Sequence, residues 1–186
     1  LKKKILGKKI WNIQIFCGSY LSDWRKDIDY RVSSSAKKIS GGGVLLDLSH
    51  ELDYISWLFG SMNLEYVYNG KVSDLDIDTD DLLIISSKTK ENAHINISLN
   101  YFTKKPIRQI LIDGENISIQ ADLITSSVTV YENNKFSEYK WPDINKNSTY
   151  MSEHEAILSG NFSNVCSFEE GIKTIKLIDK IKTFQQ

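Results

Sequence analysis

The sequence predicts an α+β fold: one broad, largely antiparallel sheet with helices packed on one face. Three observations carry this expectation. After Gly60 seven strand-like runs follow one another with short links. A helical pattern precedes them, and a second amphipathic helix closes the chain. The 186 residues, 41% of them hydrophobic, suit a single domain spanning 1–186. Lys and Arg total 23 against 24 Asp and Glu, a formal charge of −1. That balance removes the electrostatic case for a partner that is nucleic acid or an anionic membrane surface. No apolar run approaches the ~20 residues that span a bilayer. Cys17 and Cys166 stand far apart and fit neither a zinc cluster nor a disulfide framework, which points to reduced thiols and a cytoplasmic setting.

In chain order, Leu1, Ile5 and Leu6 followed by Gly7 read as the last turn of a helix with its C-terminal cap, so the chain is expected to continue a longer protein. Residues 10–17 alternate with period two and predict a strand. Residues 18–42 are rich in Gly, Ser and charge and form a long irregular connection, of the kind that tends to carry function. Residues 44–59 turn helical. The strand runs are 64–72, 81–87, 93–102, 107–112, 117–121, 128–132 and 136–141. The links 89–92, 113–116 and 132–135 carry turn chemistry. Helices are predicted over 148–158 and 168–184, the latter with Ile172, Ile175, Ile178 and Ile181 on one face.

The helix over 44–59 is the most informative. At about 100° per residue, Val44, Leu45, Leu48, Leu52, Ile55 and Phe59 share one arc, which must be buried. Asp47, His50, Asp53, Tyr54 and Trp57 share the other. A solvent-facing helix normally carries Lys, Glu and Gln there. Asp47 and His50 are i, i+3 neighbours, and His50 and Tyr54 are i, i+4 neighbours. A carboxylate beside an imidazole fixes its tautomer and raises its basicity, as general-base work at neutral pH requires. The competing reading is a solvated histidine and a first-turn acid favoured by the helix dipole. Gly41, Gly42 and Gly43 precede the helix and either present bare N–H groups to an anion or make a tight turn. No dinucleotide fingerprint occurs.

These residues carry a resemblance. The strings Gly18–Arg25, Asp29–Arg31, Gly41–Tyr54 and Trp57–Gly60, with Gly-Gly-Gly, Asp47, His50 and Asp53 at their centre, resemble the C-terminal domain of the Gfo/Idh/MocA oxidoreductases. The likeness is sharpest over residues 17–60. It implies a substrate-binding and oligomerisation domain, with NAD or NADP bound mainly by an N-terminal Rossmann domain that this sequence lacks. It implies a small-molecule sugar or nucleotide-sugar substrate, and a homo-oligomer formed through the open sheet face. It matches His50 to the residue that takes or gives the hydroxyl proton and Asp47 to its acidic partner. The family often spaces the two by four residues; here the spacing is three. Gly42 and Gly43 would lie near the cofactor, and no metal is implied. As it stands, the chain is expected to be inactive alone.

Tyr20, Trp24, Arg25, Tyr30, Arg31 and Lys37 in the loop, with Asp53 and Tyr54 on the helix, are the candidate substrate-binding residues. Aromatic and cationic side chains together suit a sugar face plus a phosphate or carboxylate, with Arg31 and Lys37 foremost for the anion. The alternative is a solvated loop whose aromatics plug a domain junction. The carboxylates of 74–81 lack the Gly and terminal Glu of an EF-hand loop and read as a solvated connection. A second overall reading keeps the fold without the chemistry: a non-enzymatic, sheet-mediated dimerisation domain. A stand-alone hydrolase ranks below both, since no carboxylate pair is placed to split its pKa values.

Overall fold

A computed structural model describes residues 1–142 and 146–185. Its centre is one eight-stranded sheet: β1 (Ile10–Gly18), β2 (Asn63–Gly70), β3 (Leu82–Lys88), β4 (His94–Asn100), β5 (Ile107–Gly114), β6 (Ile117–Asp122), β7 (Ser127–Glu132) and β8 (Lys135–Lys140). The spatial order is β2-β3-β4-β1-β5-β6-β7-β8. β1 runs parallel to β4 and antiparallel to β5; every other pairing is antiparallel. The sheet is therefore mixed but mostly antiparallel, and the fold is α+β as the sequence predicts.

Strand alternation sorts the residues. Ile13, Ile15, Leu83, Ile85, Ile95, Ile97, Leu99, Ile110 and Ile112 are buried on one face. That face takes the helices α2 (Val44–Asp47) and α3 (Ser49–Phe59). The other face is mixed, with Gln14, Asn96 and Gln120 among Tyr66, Ile84, Leu111, Tyr131 and Phe136, all of them exposed. α1 (Lys2–Ile5) is the expected short turn, with Gly7 at φ 71° beyond it. α4 (Lys146–Ser159) and α5 (Phe168–Lys182) follow the sheet. α5 opens with a capping box in which Ser167 accepts from the Glu170 amide and Glu170 accepts from the Ser167 amide. It packs on α3, where Thr174 Oγ1 donates to Asp53 at 2.6 Å. Among the described residues no helix is long and apolar enough to cross a membrane.

Two expectations are corrected. The helix over 44–59 is not continuous: Leu48, at φ −102° and ψ 20°, separates α2 from α3. The 74–81 segment is not simply solvated either. Leu75, Ile77, Thr79 and Asp81 are buried. Asp81 accepts from the Val72 and Ser73 amides and from Ser73 Oγ, closing the bend after β2. Those amides cannot be paired by a strand, so the carboxylate takes the place of a ladder. Among the described residues no group of acids, histidines or cysteines could hold a metal ion.

Candidate functional site

The ends of β1 and β4, the start of β5, the N-terminal turns of α2 and α3 and the loop after β1 meet at one end of the central strands. The start of α2 is fixed by Asp80, whose carbonyl accepts from Val44 N at 3.0 Å and whose Oδ2 accepts from Leu45 N at 2.9 Å. Burial pushes the Asp80 carboxyl up, and nearby Asp47 and Asp81 add to this against the amide bonds that favour its charge. The Gly41, Gly42 and Gly43 amides donate to Lys38, Lys37 and Ser35 carbonyls. The expectation of bare N–H groups facing an anion is thereby corrected: the protein's own backbone and Asp80 use them. Gly43 sits at φ 114°, ψ 150°, a conformation essentially reserved for glycine.

At the α2 end, Tyr101 is fully buried and its hydroxyl donates to Asp47 Oδ2 at 2.8 Å. Burial pushes the Tyr101 hydroxyl far up, and Asp47 adds to it, so it remains a donor. Trp24 meets the Tyr101 ring edge-on with centroids 5.3 Å apart, and its Nε1 donates to Ser19 Oγ at 2.8 Å. Lys104 lies over the Tyr20 ring at 3.1 Å. Trp24 and Tyr20 thus lie at the same end of the central strands as Asp47.

His50 is exposed, with 52% of its side-chain surface open. The break at Leu48 separates its surroundings from those of Asp47. Among the described residues Asp47 bonds to Tyr101, and the acid beside His50 is Glu51, with Nε2 to Oε1 at 3.1 Å. Glu51 has no exposed surface. Its Oε2 accepts from the Tyr54 hydroxyl at 2.6 Å, and Arg108 Nη2 lies 2.6 Å from Oε1. Burial pushes the Glu51 carboxyl up, but the contacts of His50 and Tyr54 and the charge of Arg108 outweigh it and hold the group below its ordinary range. Burial and Glu51 together push the Tyr54 hydroxyl far up, and the nearby Cys17 thiol to about 12.

The remaining candidates fall elsewhere. Arg31 forms a two-pronged ion pair with Asp29, at 2.7 and 2.9 Å, on an exposed turn. Tyr30 accepts from the Asp76 amide at 3.2 Å. Arg25 is exposed, and Lys37 is half-buried with its carbonyl occupied by Ser40 and Gly42 amides. Asp53 is taken by α5. Sequence reasoning missed Glu51, Arg108 and Tyr101. The signals were present for two of them. Glu51 falls at the margin of the apolar arc of its helix, and Arg108 shares the inward phase of Ile110 and Ile112. A charged residue on a buried phase is paired or functional.

A family model for the GFO/IDH/MocA C-terminal domain matches residues 1–120. The chain belongs to the Gfo/Idh/MocA family. No curated protein matches the chain. Among solved structures, this Gfo/Idh/MocA domain is similar to levoglucosan dehydrogenase in complex with NADH, at 19% identity and a TM-score of 0.78, covering 98% of this chain and 59% of that one. It is similar to the UDP-N-acetylglucosamine 3-dehydrogenase GnnA from Acidithiobacillus ferrooxidans, at 12% identity and a TM-score of 0.71, covering 97% and 55%. The WlbA dehydrogenase from Bordetella pertussis, in complex with NADH and UDP-GlcNAcA, gives 18% identity and a TM-score of 0.69, covering 97% and 55%. The Gfo/Idh/MocA chain described here thus spans little more than half the length of these enzymes, and at such identities the likeness shows the fold.

Proposed function

We propose that this chain is the substrate-binding and proton-handling domain of an NAD(P)-dependent oxidoreductase acting on a carbinol of a sugar or nucleotide-sugar. The observation that carries the reading is the exposed His50 imidazole in the first turn of α3, just past the Leu48 break that follows Asp47 at the end of α2. Among the described residues the amides at the start of α2 are bonded internally, and the dinucleotide is assigned to a separate Rossmann domain. When bound, the nicotinamide supplies hydride acceptance. His50 takes the hydroxyl proton as the hydride leaves. Asp47, held by Tyr101, places a negative charge where the substrate hydroxyls arrive. Trp24 and Tyr20 present ring surface to the sugar, and Lys104 a cation beside it.

The test uses the full-length enzyme with candidate sugars and nucleotide-sugars, read as reduced-nicotinamide absorbance. General-base help is worth ~10²–10⁴ in rate, so His50→Ala should lower kcat by that order and leave substrate binding little changed. A variant with near-normal kcat sinks the assignment and favours the second reading, a sheet-mediated dimerisation domain without chemistry. The open face, with Tyr66, Ile84, Leu111, Tyr131 and Phe136 exposed, supports self-association in either case. Light scattering checks it; a monomer at micromolar concentration refutes it.

A further inference from the structure

The pair formed by Glu51 and Arg108 is a charge buried on purpose only if something nearby uses it. Carboxylates are almost never fully buried unless paired. Glu51 has no exposed surface, and its Oε2 is satisfied by Tyr54. Its Oε1 is different. Both His50 Nε2, at 3.1 Å, and Arg108 Nη2, at 2.6 Å, lie within ion-pair distance of it. Neither N–H is aligned as a hydrogen bond, and Oε1 stands among the buried polar atoms without a hydrogen-bond partner. Arg108 Nε is a second such atom. A buried acceptor left unmatched is costly, yet this one lies directly against the His50 ring.

We propose that Glu51 is the positioning residue of His50: its Oε1 receives the Nε2–H of the ring, so that Nδ1 is the nitrogen presented to the substrate hydroxyl. The inference rests on the reading of His50 as the general base and replaces Asp47 by Glu51 as its orienting acid. Geometry favours this. Glu51 follows His50 directly and is locked from three sides: by Tyr54 one turn along α3, by Arg108 from β5, and by the packing of α3 on the sheet. Asp47 lies across the Leu48 break and is committed to Tyr101. As His50 gains a proton during turnover, a small turn of the ring aligns a charge-assisted bond to a carboxylate already fixed 3.1 Å away. Arg108 balances the carboxylate between turnovers, so the charge is never left buried alone. The groups packed around the ring and its partner are Glu51 and Tyr54 from α3, Arg108 from β5 and Cys17 from β1.

The experiment is nitrogen NMR of the full-length protein labelled with ring-15N histidine, His50 being assigned from a His50→Gln spectrum. The expected wild-type result is a proton on Nε2 and a downfield Nε2–H resonance whose exchange with water is slowed. In Glu51→Gln that exchange should quicken at least tenfold. With an active substrate in hand, kcat should fall about tenfold or more while KM stays within about twofold. A His50 proton on Nδ1 in the wild type, or an unchanged resonance and kcat in Glu51→Gln, overturns the proposal. If Glu51→Gln does not fold, the wild-type tautomer alone decides. A protected Nε2–H in a protein that oxidises none of the sugars would leave the positioning contact standing and sink the oxidoreductase reading instead.

Discussion

Replacing Gly43 with alanine probes how the first turn of the site is held. Gly43 has φ 114° and ψ 150°. An L-residue there carries a strain of about 1–3 kcal/mol. A Cβ at this position would also collide with Asp80 Oδ1. Asp80 would have to leave the Leu45 amide it accepts from at 2.9 Å, and losing such a cap costs about 0.5–2 kcal/mol. A stiffer unfolded chain returns roughly 0.4–1 kcal/mol. The net loss is about 1–4 kcal/mol, which for a domain of this size lowers Tm by roughly 2–16 °C. Gly41 is the control. It has φ 75° with nothing within 4 Å of a Cβ. Its alanine variant bears only the left-handed penalty of about 1–2 kcal/mol, less the same return. Thermal unfolding followed by circular dichroism compares the two. Equal shifts for Gly41→Ala and Gly43→Ala would refute the argument that Asp80 and Gly43 jointly anchor α2.

Tyr101→Phe removes the 2.8 Å bond to Asp47 without opening a cavity. A bond to a charged group is worth about 1.5–3 kcal/mol. Asp47 is only partly buried, so water replaces part of it; the expected loss is about 1–2 kcal/mol, or roughly 2–8 °C in Tm. An unchanged Tm would show that Asp47 does not depend on this hydroxyl. Acid stability gives a further check. The Glu51 carboxyl lies below its ordinary range in the fold, so its contribution is complete above the unfolded value near pH ~4.3 and is lost as pH falls through the folded one. Asp80, pushed up by burial, works the other way, its protonation favouring the fold as pH drops. Arg108→Met takes away one group that holds Glu51 down, so acid unfolding should begin at higher pH than in the wild type. An unmoved or lowered acid midpoint would contradict the ion pair.

Strand existence was legible because each run alternates with period two and ends in turn chemistry. Asn92, Asn116, Asn133 and Asn134 indeed adopt positive φ in the links. What alternation cannot give is neighbour order, and nothing in residues 10–17 says that β1 lies between β4 and β5. The buried arc of the site helix was legible too, since Val44, Leu45, Leu48, Leu52 and Ile55 are all buried. The partner of His50 was not. Helical spacing assumes a continuous rod, and the Leu48 break divides Asp47 from His50 where the wheel joins them. Arg31 shows a different limit: composition marks it as a cation but cannot say that Asp29, two residues earlier, pairs with it.

The position of the earliest strand has its own consequence. β1 is bordered by β4 and β5, elements that emerge some eighty to one hundred residues later, so the middle of the sheet stays unzipped until residue 114 is available. A protease cutting the exposed 24–29 stretch would not free a small peptide. It would leave two pieces interlocked edge to edge, separable in denaturant and able to re-form the molecule only by threading the same strand back into its slot.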